Sequence, residues 1–544
     1  MRARLCLSAL IAVCLTLPAL ADTDPLVTTP AGKLRGEAVG TLNVFKGIPY
    51  AMPPTGANRW KPAAAMKPWS GERDARQFGA ACVQPPSRPG SLYADNVGPT
   101  SEDCLFLNVW APKNARKAPV FVWIYGGALS SGASNLSMYD GAKLASRGVV
   151  FVSINYRLGI LGYLAHPQLS AESAQGISGN YGLQDQIEAL RWIQRNIAAF
   201  GGDPDNVTIA GESAGGLSVM HLMASPKARG LFAKAIAQSA YMISLADLKR
   251  PVHGSPSAET IGSQLATALG ASDLAALRAM DATTLTLGAA KSGYFPMNNI
   301  DGQTLTRQIV DTFERGEQAP VPILAGFNSG EIRSLRTLVP PVPADAATYE
   351  SAIRSRYADL AAPFLDLYPA THLEDSILAI TRDALYGWTA EKLMRSQTAI
   401  GQRAYLYLFD HGYPAADSSD LHAFHAAEIP YAFGNIDRTS PVWPKIPDTP
   451  EERAFSDAMA DYWTSFARSG EPKASRHPDW PAYGTTRAYI HFADVPRTAT
   501  QLMPGMFELN DEVFCRRRAQ GDQGWNWNVG IVSPAVPPRG ECGR

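Results

Sequence analysis

What this 544-residue chain lacks most plainly is charge of one sign. It has 49 Lys and Arg against 50 Asp and Glu, a formal net charge of −1. That balance gives no basic surface for nucleic acid and no acidic tail. Long apolar runs are missing too. The most extended stretch, residues 5–17, is too short to cross a bilayer, and nothing later reaches membrane-spanning length. Cysteine is scarce, six in all, and the usual zinc-ligand spacings are absent. No repeat or linker divides the chain, although about 150 residues per domain would suggest three or four units. With 46% hydrophobic and 18% charged residues, the composition is that of an ordinary globular protein.

The short apolar stretch has another meaning. Arg2 and Arg4 precede it, and Pro18-Ala19-Leu20-Ala21 closes it with an A-x-A pattern. This is the layout of a secretory signal peptide over residues 1–21, leaving one continuous fold over 22–544. A lipoprotein signal ending at Cys14 fits less well, because Val13 stands where a small residue is expected. Cleavage leaves Cys82, Cys104, Cys515 and Cys542. An even count in an exported chain favours disulfides, with three possible pairings.

Against this background the segment from Phe200 to Gly216 carries the most information. Residues 207–210, Val-Thr-Ile-Ala, read as a short strand running straight into Gly211-Glu212-Ser213-Ala214-Gly215. A G-x-S-x-G turn between strand and helix forces its serine into a strained conformation with the hydroxyl exposed. The flanking glycines belong where a Cβ would collide with the crossing backbone. A serine becomes a useful nucleophile only with a base to take its proton and an acid to orient that base. Downstream, the apolar run 321–326 predicts a buried strand, and Glu331 lies in the loop after it. Residues 404–409 predict another, followed by His422 and His425. The order serine, acid, histidine is therefore present; the spacing alone leaves the histidine open, and leaves Glu331 equally readable as a surface carboxylate. Upstream, 119–125 is a strong strand followed by Gly126-Gly127-Ala128. With the N–H of Ala214, the amides of Gly127 and Ala128 could form a three-donor hole for a developing oxyanion.

Taken together these residues resemble the type-B carboxylesterases, which include cholinesterases and bacterial para-nitrobenzyl esterases. Further landmarks support the likeness: Glu102-Asp103-Cys104-Leu105-Phe106-Leu107-Asn108, Phe45-Lys46-Gly47-Ile48-Pro49-Tyr50, Asn155-Tyr156-Arg157-Leu158-Gly159 and Gly179-Asn180-Tyr181-Gly182. The resemblance runs from about residue 27 to past Trp480. It implies an α/β-hydrolase fold, a large and mostly parallel mixed sheet flanked by helices, with helical insertions such as 258–315 acting as a cap. Together with the leader pattern it implies a secreted serine esterase for small or medium carboxylic esters. The alternatives are an amidase, carbamate hydrolase or lipase on the same triad, or a non-catalytic binding relative, against which the intact Ser213, Glu331 and His425 speak. No cofactor, metal, nucleic-acid partner or membrane span is expected. The resemblance selects His425, in Phe424-His425-Ala426-Ala427-Glu428, as the base, and matches Glu331 to the acid. The residue before that acid is usually Asp; here it is Gly330.

The resemblance also implies the pair Cys82–Cys104, leaving Cys515 and Cys542 for each other and for the Pro/Gly/Trp-rich tail. It places Ser239 and Glu212 beside the triad, and Arg157 with Asp185 in a buried structural ion pair. Arg333 and Arg336 read as solvated arginines. His422, His425 and Glu428 at three-residue spacing look like metal ligands, but no known zinc motif fits them. Choline-binding relatives place a tryptophan in the first disulfide loop to hold the cation; between Cys82 and Cys104 this chain offers only Tyr93. Choline esters are therefore not expected as substrates.

Overall fold

The computed structural model describes residues 24–526, 529–539 and 542. The expected signal peptide lies outside the described residues. Eleven strands form one sheet: β1 (Glu37–Val39), β2 (Leu42–Pro49), β3 (Phe106–Pro112), β4 (Ala118–Ile124), β5 (Val150–Ile154), β6 (Gly202–Glu212), β7 (Lys234–Gln238), β8 (Ile323–Asn328), β9 (Ala404–Phe409), β10 (Ala488–Phe492) and β11 (Arg497–Thr500). Their spatial order is β11-β10-β9-β8-β7-β6-β4-β5-β3-β2-β1. The block from β10 to β5 is parallel throughout, and the pairs at its two flanks are antiparallel. The expected mixed, mostly parallel sheet is thus present.

The central strands are buried along their whole length. In β4 every residue from Ala118 to Ile124 is inside, and the same holds for β5, β7, β8 and β9. Strands covered on both faces carry continuous apolar runs rather than alternation, which is why these segments were readable in the sequence. β6 is longer than the expected 207–210: it begins at Gly202, which pairs with Ala118, and the polar 203–206 stretch forms an irregularity before regular pairing with β4 resumes at Val207. β8 begins two residues later than expected, since Pro322 has no N–H to give to a parallel neighbour.

The order β6-β4-β5 places the topological switch between β4 and β6. Chain connections leave these neighbours in opposite directions, and the crevice above their carboxyl ends is where open α/β sheets bind ligands. Helices cover the sheet: α1 (Tyr181–Asn196), α2 (Ala214–Ala224) on β6 and β7, and further on Trp388–Ala399 over β8 and β9 and Pro450–Ser469 over β4 and β6. The expected cap divides in two. Helices Ala258–Ala268, Leu274–Ala279 and Ala282–Lys291 bury Leu265, Leu277 and Leu285 in a satellite cluster with Trp60, Ile160 and Leu164. Ile309–Glu314 joins the main core through Ile309, Val310 and Phe313.

Two disulfides close the loops Cys82–Cys104 and Cys515–Cys542. A closed loop of this size stabilises by about 3 kcal/mol in the chain-entropy view. Arg157 and Asp185 form the expected buried pair: the carboxylate accepts two guanidinium N–H bonds, at 2.6 and 2.8 Å, and the Arg157 main-chain N–H at 3.0 Å.

Candidate active site

β6 ends at Glu212 and α2 begins at Ala214, so Ser213 alone makes the turn. Its backbone sits at φ 57°, ψ −121°, a region that residues with a Cβ avoid and that costs about 1–3 kcal/mol. The surroundings impose it. The Ser213 N–H donates to the Gln238 carbonyl at 3.0 Å. A Cβ on Gly211 would stand 2.5 Å from Gly215 and 2.7 Å from the Ile124 carbonyl oxygen, and one on Gly215 would run into that same oxygen. Strand and helix cross where only glycine fits, and the serine between them is left half-buried and strained.

On the β4 side, Gly127 takes φ 106°, and Ala128 and Leu129 follow at φ 54° and 57°. The Gly127 carbonyl accepts from the N–H groups of Ser130 and Ser131, which folds the turn back on itself. Among the described residues the N–H groups of Gly127, Ala128 and Ala214 donate to no protein acceptor. The methyl group of Ala128 removes none of these donors. Ala214 also opens α2, whose N-terminal end favours negative charge.

On the β8 side, Glu331 starts a short 3₁₀ turn (Glu331–Ser334) and is fully buried. Its Oε1 accepts from the Ser239 hydroxyl at 2.6 Å and from the Asn328 N–H at 2.8 Å; its Oε2 pairs with Nδ1 of His425. His425 is 5% exposed, and its Nε2 lies 3.1 Å from Glu212 Oε1. No hydrogen bond joins the imidazole to Ser213 among the described residues; such bonds often tighten only with substrate in place.

The histidine loop is anchored from several directions. Gly330 bridges to Phe424, its N–H donating to the Ala423 carbonyl at 2.9 Å. A Cβ on Gly330 would stand 2.9 Å from the carbonyl oxygens of both Leu421 and Ala423. The substitution of glycine for the usual Asp is thereby explained: here the acid loop lies directly on the histidine loop. The Asn328 amide donates to Phe424 O and to Glu428 Oε2, both at 2.7 Å, and Gln238 donates to Glu428 Oε1 at 2.9 Å. Tyr93 of the first disulfide loop donates to the His425 carbonyl at 3.0 Å.

Three buried carboxyl groups therefore surround one imidazole. Burial alone would lower the His425 pKa, but Glu212, Glu331 and Glu428 overcome it and push it up to about 9. Burial, reinforced by Glu428 and Glu331 against the opposing pull of the imidazolium, pushes Glu212 up to about 8. Burial and the Glu331 charge also raise Glu428.

The remaining sequence candidates fall elsewhere. His422 is half-buried and bonded to Asp417 at 2.7 Å, so His422, His425 and Glu428 serve three separate sets of partners. Arg333 pairs with Asp375 and Asp420, and Arg336 with Glu374 and Asp420, in a surface network. Gln238 and Asn328 were missed by sequence reasoning. Each lies at the end of a strand next to a candidate residue, and that position was the available signal.

A model described as the carboxylesterase family matches residues 23–505. The chain is 37% identical over 488 residues to a fumonisin B1 esterase of Sphingopyxis macrogoltabida, covering 86% of each chain. It is 36% identical over 473 residues to a para-nitrobenzyl esterase of Bacillus subtilis (strain 168), covering 85% of this chain and 93% of that one. A solved PNB esterase structure superposes with a TM-score of 0.78 at 33% identity, over 90% of this chain and 99% of the other. The protein belongs to the carboxylesterase family and is a serine esterase of the α/β-hydrolase fold acting on carboxylic esters.

Proposed function

We propose that Ser213 is the nucleophile, His425 the general base and Glu331 its orienting acid. The observation that carries this reading is the strained Ser213 between Gly211 and Gly215 at the end of β6, with the bonded His425–Glu331 pair held beyond the ends of β8 and β9 on the same side of the switch. His425 takes the serine proton as Oγ attacks the ester carbonyl. The carbonyl oxygen, now charged, is held by the amides of Gly127, Ala128 and Ala214. The imidazolium then gives its proton to the leaving alcohol, and water repeats the sequence on the acyl-enzyme. Glu331 holds the ring and stabilises its charged form, supported by Ser239 and Asn328. Glu212 adds a carboxyl group on the far edge of the ring.

Substrate breadth belongs to the same reading. The similar proteins are named for compounds as different as fumonisin B1 and para-nitrobenzyl esters, and apolar pockets separate substrates by only about 1–3 kcal/mol per methylene. Short-to-medium acyl and aryl esters are the expected substrates, and choline esters are poor ones. Export is proposed from the leader pattern of residues 1–21 and from two disulfides that an oxidising compartment preserves. Intact mass of secreted protein should give a chain beginning near Asp22 with no free thiol.

The test of the catalytic roles is Ser213→Ala on para-nitrophenyl acetate. A loss of several orders of magnitude in kcat is expected; turnover at the parent rate would remove the assignment.

A further inference from the structure

Resting on that esterase reading, a second set of groups near the site is unused by the mechanism. Tyr386 lies in a π-helical turn, Asp383–Gly387, inserted just before the helix Trp388–Ala399. Such one-turn insertions recur at functional sites. This one is pinned by Asp383, which accepts from Tyr368 at 3.0 Å and from Arg382 at 2.7 Å. The turn brings the Tyr386 ring to 5.4 Å from the His425 ring and 6.1 Å from the Tyr241 ring. Tyr241 comes from the other direction, three residues beyond the end of β7, where its neighbour Ala240 packs at the start of α2 beside the nucleophile.

The rings of the two residues are nearly buried, 3% and 8% exposed, while neither hydroxyl has a hydrogen-bond partner among the described residues or is among the buried unpartnered atoms, so both keep access to the cleft. A nearly buried phenol normally finds one. Both feel the Glu212 carboxyl, and Tyr386 feels Glu331 as well. They are therefore two donors left unused in the immediate surroundings of the catalytic histidine. Tyr93, its ring 6.4 Å from that of His425, is 39% exposed and so forms the surface-facing neighbour of the imidazole. The leaving alcohol must depart past a rim, whereas the acyl group stays on the serine through both half-reactions and so occupies the deeper wall.

We propose that Tyr241 and Tyr386 are specificity-determining residues that donate hydrogen bonds to a neutral oxygen acceptor on the acyl part of the ester. Hydroxy-, alkoxy- and oxo-acyl esters meet this description. An anionic acyl group does not, because three buried carboxyl groups surround the adjoining imidazole and the Arg382 guanidinium beside the inserted turn is already paired with Asp383.

The test compares kcat/KM for para-nitrophenyl methoxyacetate and butyrate, which share a leaving group and chain length and differ by one oxygen. It uses the parent, Tyr241→Phe, Tyr386→Phe and the double variant. The methoxyacetate-to-butyrate ratio should fall about tenfold in the double variant, as for the loss of one or two neutral hydrogen bonds. A ratio unchanged in all three variants overturns the proposal. So does a parent kcat/KM higher for para-nitrophenyl hydrogen adipate, whose acyl chain ends in a carboxylate, than for the hexanoate. A parent that hydrolyses both esters but keeps its ratio through the Phe variants defeats this inference alone. A parent whose turnover does not depend on Ser213 defeats the catalytic reading beneath it.

Discussion

The elbow around Ser213 and the loop around His425 are built on different principles. At the elbow, shape does the positioning. Gly211 and Gly215 let a strand and a helix cross at van der Waals limit, and the serine takes the strained conformation left to it. At the histidine loop, hydrogen bonds do the positioning, drawn from strands and loops far apart in sequence. Ser239, Asn328, Gln238, Tyr93 and Gly330 all reach it or its acid. The elbow needs only the strands beside it, β4 and β7, whereas the histidine loop depends on three other segments reaching it or its acid: the ends of β7 and β8 and the first disulfide loop. The first should therefore fail by steric clash, and the second by loss of polar contacts.

The largest expected effect separates the two histidines of the loop. His425→Ala should reduce kcat by about 10⁴-fold, while His422→Ala, which removes an exposed contact to Asp417, should retain most of it. Steady-state kinetics with circular dichroism as a folding check decides this. Equal losses would leave the base unassigned. Next comes the elbow itself. Gly215→Ala places a methyl against the Ile124 carbonyl oxygen and should cost about 1–3 kcal/mol or more, read from denaturant unfolding. A variant as stable as the parent would show that the crossing is looser than described.

The elbow was legible in the sequence because its constraints are local: a β-rich run, then small residues at fixed spacing. The buried strands were legible for the same reason, as continuous apolar runs. The polar side of the site was not. Nothing in the residues around 422–428 distinguishes His425 from His422, because the distinction is made by Glu331, about ninety positions earlier. There the choice came from the family resemblance alone. Asn328, Gln238 and the phenols of Tyr241 and Tyr386 were invisible for the same reason, since their roles arise when strand ends and an inserted helical turn converge. Gly330, where the family usually has Asp, makes a close backbone contact with the histidine loop.

A smaller effect tests that contact. Gly330→Asp restores the usual family residue but sets a Cβ 2.9 Å from two carbonyl oxygens. It should lower stability by about 1–3 kcal/mol and reduce kcat more than it raises KM. A neutral or improved variant would show that the two loops can part without cost.

The smallest expected effect is in the pH profile. Carboxyl groups hold the His425 pKa up, and a protonated imidazole cannot act as a base, so activity should rise as pH increases through that titration. Glu212→Gln removes one of the raising charges. The rising limb of kcat/KM should then move to lower pH; an unmoved limb would exclude Glu212 from the field at the imidazole.

The central claim is that one serine, strained by the fold, is the nucleophile. A fluorophosphonate probe followed by peptide mapping tests it most directly. The account predicts a single covalent adduct, on Ser213, that disappears in folded Ser213→Ala and is strongly slowed in His425→Ala. An adduct on any other residue, or a parent enzyme that hydrolyses esters yet takes no label at Ser213, would contradict it.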